Sequence, residues 1–272
     1  MRKYRNILLY AFLLAIFTSA GAHARANEAS AWSGPEQGQM RLLAGGVLDG
    51  GKLYAGIEVK LDKGWKTYWR TPGDSGIPPF FDWAGSQNVA DVQVRFPAPK
   101  RFRDDFGLNI GYKSDVVFPL EITPEDKTKP VSLKLKAQYG VCSNICIPAE
   151  AELALNIPHN SSGGYLPQIQ SALDRVPTNS LEGVKIEGAS AKASGKKVEL
   201  EVLVKTDDDA QIDVFVEGPK QFYFDTPKPQ ASSNTYTLRV DGAKSPSDLK
   251  GAKLTVTVVR GQDSLEQDIV LD

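Results

Sequence analysis

The chain of 272 residues carries 32 Lys and Arg against 33 Asp and Glu, a formal net charge of −1. That balance argues against nucleic acid and against an anionic membrane surface as partners. Two histidines and two cysteines in the whole chain leave little material for a histidine-rich metal site or a Ser-His-Asp triad.

The amino terminus reads "MRKYRNILLYAFLLAIFTSAGAHA". Arg2, Lys3 and Arg5 form a basic segment, Ile7 to Ala20 an apolar run, and Ala22 to Ala24 a small-x-small cleavage site. This is the pattern of a secretory signal peptide over residues 1–24, with an uncleaved anchor as the alternative. Cleavage after Ala24 removes three cations and no acid, and leaves His159 as the only histidine. No later run reaches the roughly 18 apolar residues of a membrane span. The expectation is a soluble protein outside the cytoplasm, where disulfides persist, with no membrane insertion after cleavage.

Period-two alternation then dominates. "KLYAGIEVKL" (52–61), "VADVQVRFP" (89–97), "VSLKLKAQY" (131–139) and "AELALNI" (151–157) read as half-buried strands. Clusters such as "TPGDSGIPP" and "TPEDKTKP" separate them as turns. Residues 159–178 interrupt the pattern with a polar, Gly-rich tract and then "LPQIQSALDRVP". There Leu166, Ile169, Leu173 and Val176 recur at helical spacing before Pro177, so the segment is expected to be a linker with a short docking helix. Strand periodicity resumes in "KKVELEVLVK" (196–205), "QIDVFVEG" (211–218), "TYTLRV" (235–240), "KLTVTVV" (253–259) and "LEQDIVL" (265–271). The expected fold class is all-β, with one β-sandwich over 25–158 and a second, smaller one over 179–272.

Both cysteines fall in "AQYGVCSNICIPAE", residues 137–150. Four residues of extended strand span roughly 13 Å, and a disulfide needs Cα atoms within about 7 Å. A bond between Cys142 and Cys146 therefore requires the chain to fold back after Val141, with Gly140 and Pro148 suited to such a turn. Three readings stand. As a staple the pair closes a loop of about five residues, worth roughly 2 kcal/mol in the chain-entropy view. As a metal site two thiolates suit Cu(I), although no His or Met lies adjacent. As a redox pair, two close thiols at a strand end suffice. No Lys, Arg or His lies between Lys136 and Glu150, so a cation that favours a thiolate must come from elsewhere in the fold.

The other candidates have plainer readings. Trp65, Tyr68, Trp69, Phe80, Phe81 and Trp83 suit a stacking platform, but more simply a sandwich core with an aromatic wall. Ser75 sits in the turn "PGDSG". Asp207 to Asp209 read as a hairpin tip, and Arg95, Lys100, Arg101 and Arg103 as a solvated face.

"QYGVCSNICIPAEAEL" (138–153) resembles the active-site strand of the amino-terminal periplasmic domain of DsbD, the thiol:disulfide interchange protein. It resembles still more the copper-tolerance branch, ScsB. "GWKTYWRTPGDSGIPPFFDW" (64–83), "VRFPAPKRF" (94–102) and "IGYKSDVVFPL" (110–120) match the same pattern in order, so the resemblance covers roughly residues 35 to 158. The second β region resembles the additional sandwich of the copper-tolerance branch, without a motif of its own. The resemblance implies two immunoglobulin-like sandwiches in the periplasm, with thioredoxin-like partners and neither cofactor nor metal. It implies that Cys146 forms the mixed disulfide and Cys142 resolves it. It further implies a cap loop at 101–115 with Phe106 or Tyr112 as cap, acidic Asp104 and Asp105 beside the site, and Tyr68 and Trp69 lining it. DsbD itself spaces its cysteines more widely. The chain ends at residue 272 without the family's membrane and thioredoxin-like domains, so a separate membrane electron donor is expected. The rival expectation is a binding or copper-handling protein in which the cysteines are a clip or Cu(I) ligands.

Overall fold

A strand whose alternate residues are apolar must lay one face on a core, and the fold is built from such strands. The structure is a computed structural model that describes residues 28–47, 52–104, 107–161, 163–227 and 235–272. The expected signal peptide, residues 1–24, lies outside the described residues. The fold is all-β, two immunoglobulin-like sandwiches of antiparallel sheets, with one α-helix among the described residues. No described helix is long and apolar enough to cross a membrane.

In the first sandwich, β1 (Gly38–Val47), β2 (Leu53–Leu61), β8 (Val116–Thr123) and β5 (Asp91–Val94) form one sheet in the order β1-β2-β8-β5. The facing sheet has the order β10-β9-β4, from β4 (Phe80–Asp82), β9 (Val131–Cys142) and β10 (Cys146–Ile157). A third sheet, β3-β7-β6, joins β3 (Thr67–Gly73), β6 (Lys100–Asp104) and β7 (Gly107–Tyr112). Val131, Leu133, Leu135, Ala137, Tyr139 and Val141 of β9 all point into the core. Each such apolar side chain, fully buried, contributes about 1.5–3 kcal/mol. Tyr139 also donates its hydroxyl to Gly38 O at 2.6 Å, and burial pushes its pKa up.

The helix α1 (Leu166–Leu173) docks on the outer face of the first sheet, where Ile169 and Ala172 bury against Leu43 and Val117. Gly45 makes this fit: a Cβ there would lie 2.7 Å from Ile169 Cδ1. The helix is shorter than its apolar spacing predicts, and Leu166, Leu173 and Val176 are only half-buried. The segment after it is no loose tether. Arg175 O accepts from Ala98 N at 2.8 Å, and Thr178 O accepts from Glu266 N at 2.8 Å.

In the second sandwich, β11 (Val184–Ser194), β12 (Lys197–Thr206), β15 (Thr235–Asp241) and β14 (Tyr223–Phe224) make one sheet, ordered β11-β12-β15-β14. The other is β13-β16-β17, from β13 (Asp213–Glu217), β16 (Lys253–Arg260) and β17 (Asp263–Val270). Alternation along β13 serves two cores. Val214 and Val216 join the second, while Phe215 turns into the first and meets Trp69 with ring centroids 5.7 Å apart.

Charges close the same interface. Arg70 Nε donates to Glu217 Oε1 and Oε2 at 3.0 and 2.9 Å, its Nη2 donates to Oε2 at 2.6 Å, and it also pairs with Glu266. Desolvation acts hardest on Arg70 and pulls its pKa down, but the two carboxylates together outweigh it and the net shift is upward. Arg101 was expected on a solvated face. Its side chain is only 11% exposed and pairs with Asp213 across the interface at 2.8 Å.

Candidate functional site

β9 and β10 form one long hairpin in which Cys142 and Cys146 are direct register partners, with Cα atoms 4.1 Å apart. The chain reverses over Ser143, Asn144 and Ile145, closed by Ser143 N donating to Ile145 O at 2.9 Å. The two sulfurs are bonded. Gly140 and Pro148 were expected in the turn. They stand instead in the strands, paired with each other.

Gly140 has a different task. Gln138, Gly140 and Cys142 share one face of β9 with their partners Glu150, Pro148 and Cys146 on β10. That face is exposed at Gln138, Pro148 and Glu150 but covered at Gly140 and Cys142. A Cβ on Gly140 would lie 2.8 Å from Ile77 Cβ and 3.0 Å from the Tyr68 ring. The glycine thus lets the Tyr68 ring approach the hairpin end closely. Thr67 Oγ1 fastens the contact by donating to Gly140 O at 2.9 Å.

The Tyr68 hydroxyl then reaches Cys146 Sγ at 3.8 Å. A bonded sulfur carries no proton, so the hydroxyl is the donor. Burial first, and the Asp104 carboxylate second, push the Tyr68 pKa up to about 12. The hydroxyl therefore stays protonated at neutral pH and remains available to a sulfur anion. Cys142 is fully buried and Cys146 half-buried, while the adjacent Ile145 is 61% exposed. One cysteine is partly exposed and the other is shielded.

A cation completes the group. Lys66 N donates to Cys142 O at 2.9 Å and Cys142 N to Lys66 O at 3.0 Å, which ties the start of β3 to the end of β9. The Lys66 side chain is buried and pairs with Asp104. Asp104 also accepts from Asn109 Nδ2 at 3.0 Å. Sequence reasoning passed over Lys66, although it lies two residues before Tyr68 and alternation puts both on one face of the strand. Its nearness to the cysteines depends on β3 meeting β9, a contact between segments more than 70 residues apart.

The predicted lining residues separate into three groups. Tyr68 reaches the disulfide, and Asp104, paired with Lys66, acts on Tyr68 through its charge. Trp69 is turned the other way by alternation along β3: its ring packs on Phe215, with the Arg70 guanidinium 4.3 Å from its centroid. Tyr112 is a core residue and not a cap. Its hydroxyl donates to Pro97 O at 2.8 Å, its ring packs edge-on against Phe118, and burial drives its pKa well up. Asp105 and Phe106 lie outside the described residues. The aromatic cluster is mainly core: Trp65, Phe81 and Trp83 pack against it, and Phe80 is 62% exposed. Among the described residues no group of three or more His, Cys, Asp or Glu side chains is placed to hold a metal ion.

The first sandwich thus carries a bonded cysteine pair at a hairpin end, one cysteine buried and the other partly exposed. Residues 40–158, within the first sandwich, match the family described as thiol:disulfide interchange protein DsbD, N-terminal. Residues 175–272 match a domain of unknown function (DUF8393). Among solved structures, the N-terminal periplasmic domain of ScsB from Proteus mirabilis is similar over 90% of this chain and 99% of that one, with a TM-score of 0.70 and 25% sequence identity. The likeness therefore spans both sandwiches. No curated protein matches the chain.

Proposed function

We propose that the chain is a periplasmic thiol-disulfide exchange protein whose Cys142–Cys146 pair passes electrons to or from thioredoxin-like proteins, with a separate membrane protein as electron donor. Residues 1–24 are its cleaved leader, 25–158 the redox sandwich, 159–178 the linker and 179–272 the second sandwich. The observation that carries the reading is the unequal exposure of two bonded cysteines at one hairpin end.

A partner thiolate attacks Cys146 Sγ. The Cys142–Cys146 bond breaks, and its electron pair stays on the Cys142 sulfur, which takes up a proton. The partner's second thiolate then attacks its own sulfur in the mixed disulfide and releases Cys146 as a thiolate, which is protonated in turn. The partner dithiol has become a disulfide, and two electrons and two protons have arrived on Cys142 and Cys146. The reverse sequence hands them on. Tyr68 donates its hydroxyl to the Cys146 sulfur when that sulfur leaves as an anion. Lys66 balances the Asp104 carboxylate beside it.

Equilibration with dithiol buffers, followed by thiol alkylation and mass readout, tests the redox role. The expected midpoint lies above about −300 mV, in the range of exchangeable pairs. A midpoint far below that value, typical of inert structural disulfides, contradicts it.

A further inference from the structure

Asp104 stands at the end of β6, directly opposite Gly107 at the start of β7. The β6–β7 hairpin therefore decides where the carboxylate sits relative to Tyr68 and Lys66. The second sandwich holds one leg of that hairpin directly and the other through Asp74. On β6, Arg101 pairs with Asp213 at 2.8 Å, places its guanidinium 5.6 Å from the Phe215 ring, and donates to Pro227 O. On β7, Leu108 N donates to Asp74 Oδ2 at 2.8 Å, while Asp74 N donates to Leu108 O at 2.8 Å. Asp74 is in turn held by the Tyr223 hydroxyl, which donates to its Oδ1 at 3.0 Å. Gly107 permits this approach, since a Cβ there would lie 2.8 Å from Asp74 Oδ2.

The Arg101–Asp213 pair is an inefficient way to add stability. Burial is the largest influence on each partner, raising the pKa of Asp213 and lowering that of Arg101 against their mutual attraction. Desolvation thus offsets much of what the pair returns, and its evident product is a defined geometry. The Arg70 clamp, which its carboxylates over-compensate, holds the sandwiches together at a separate point on β3. The hairpin contacts are an addition to a joint that already exists.

We propose that the second sandwich is a positioning domain for the redox site: through Arg101, and through Tyr223 acting on Asp74, it fixes the β6–β7 hairpin and with it the Asp104 carboxylate beside Tyr68 and Lys66. Arg101, Asp74 and Tyr223 are positioning residues that act through Asp104. The inference deepens the exchange reading of the site and rests on it.

The test uses the full chain and reads the rate at which dithiothreitol reduces the Cys142–Cys146 disulfide. Dithiothreitol closes to its own disulfide and delivers two electrons and two protons. Tyr223→Phe removes one hydroxyl and keeps the ring, and Arg101→Met keeps the length of the side chain. Each is expected to change the rate by about fivefold or more, the usual scale of coupling between sites. In an Asp104→Asn background the same substitutions are expected to change it little, because the group they position is gone. Wild-type rates in Tyr223→Phe, or an undiminished effect in the Asp104→Asn background, overturn the proposal. If Arg101→Met fails to fold, Tyr223→Phe alone decides. Failure of the exchange reading would show separately, as no mixed disulfide with a reduced thioredoxin while the dithiothreitol rates still differ among the variants.

Discussion

Cys146→Ser is expected to abolish disulfide exchange with a thioredoxin-like partner, and Cys142→Ala to stop it halfway. Cys142 is fully buried, so an incoming thiolate has no approach to its sulfur, whereas Cys146 is half-buried beside an exposed hairpin tip. Without the Cys146 sulfur no mixed disulfide forms. Without the Cys142 sulfur the mixed disulfide forms from reduced Cys146 and an oxidised partner, but the internal attack that would release it is missing. The trapped species should appear on a non-reducing gel as a covalent complex that dithiothreitol dissolves. A complex that forms with Cys146→Ala and not with Cys142→Ala would reverse the two roles. The fold should survive either change. The bond closes only a loop of about five residues, worth roughly 2 kcal/mol, against a core filled by both strands of the hairpin.

Arg70→Ala is expected to have the largest effect on stability outside the cores. Arg70, Glu217 and Glu266 have side chains 27%, 21% and 30% exposed, too shielded to count as an ordinary surface pair. Removing the guanidinium leaves two carboxylates facing each other with hydroxyl donors only, Thr71 to Glu217 at 2.8 Å and Thr257 to Glu266 at 2.8 Å. It also uncovers Trp69, on which the guanidinium lies. Truncating one partner of a shielded, hydrogen-bonded charge group costs about 2–5 kcal/mol. The expected result is a lower thermal midpoint, with one calorimetric transition splitting into two as the sandwiches uncouple. An unchanged single transition would mean that apolar contacts such as Trp69 with Phe215 carry the joint by themselves.

Much of this architecture was legible because most strands face a core on one side only. β2, β9, β10 and β12 alternate over most of their length, and their buried residues are apolar or glycine. β3 and β7 escaped the same logic. Between Tyr68 and Gly73 the β3 register slips against β7, so the residues that carry Arg70 and Thr71 break the period. β7, "GLNIGY", is covered on both faces after its first residue, and its Gly111 lies against Thr67 O, where a Cβ would come within 2.2 Å. Neither strand has one face buried and the other exposed.

The site followed the same rule. The closeness of the two cysteines, and of Tyr68 to them, was legible through an ordered set of motifs. The direction of Trp69 was readable from its place next to Tyr68 in one strand, but only once that strand was known. Lys66 and the interface were harder, because each depends on segments distant in sequence. One signal was present: "VFV" at 214–216 has no polar side, which marks a strand covered on both faces. Phe215 is the residue that reaches the other sandwich.

The central claim is tested most directly by mixing the oxidised chain with a reduced thioredoxin, quenching in acid and weighing both proteins. The account predicts that the Cys142–Cys146 pair gains two hydrogen atoms as the partner loses two, through a transient adduct at Cys146. A partner that stays reduced, beside a pair that dithiothreitol alone can open, would contradict it.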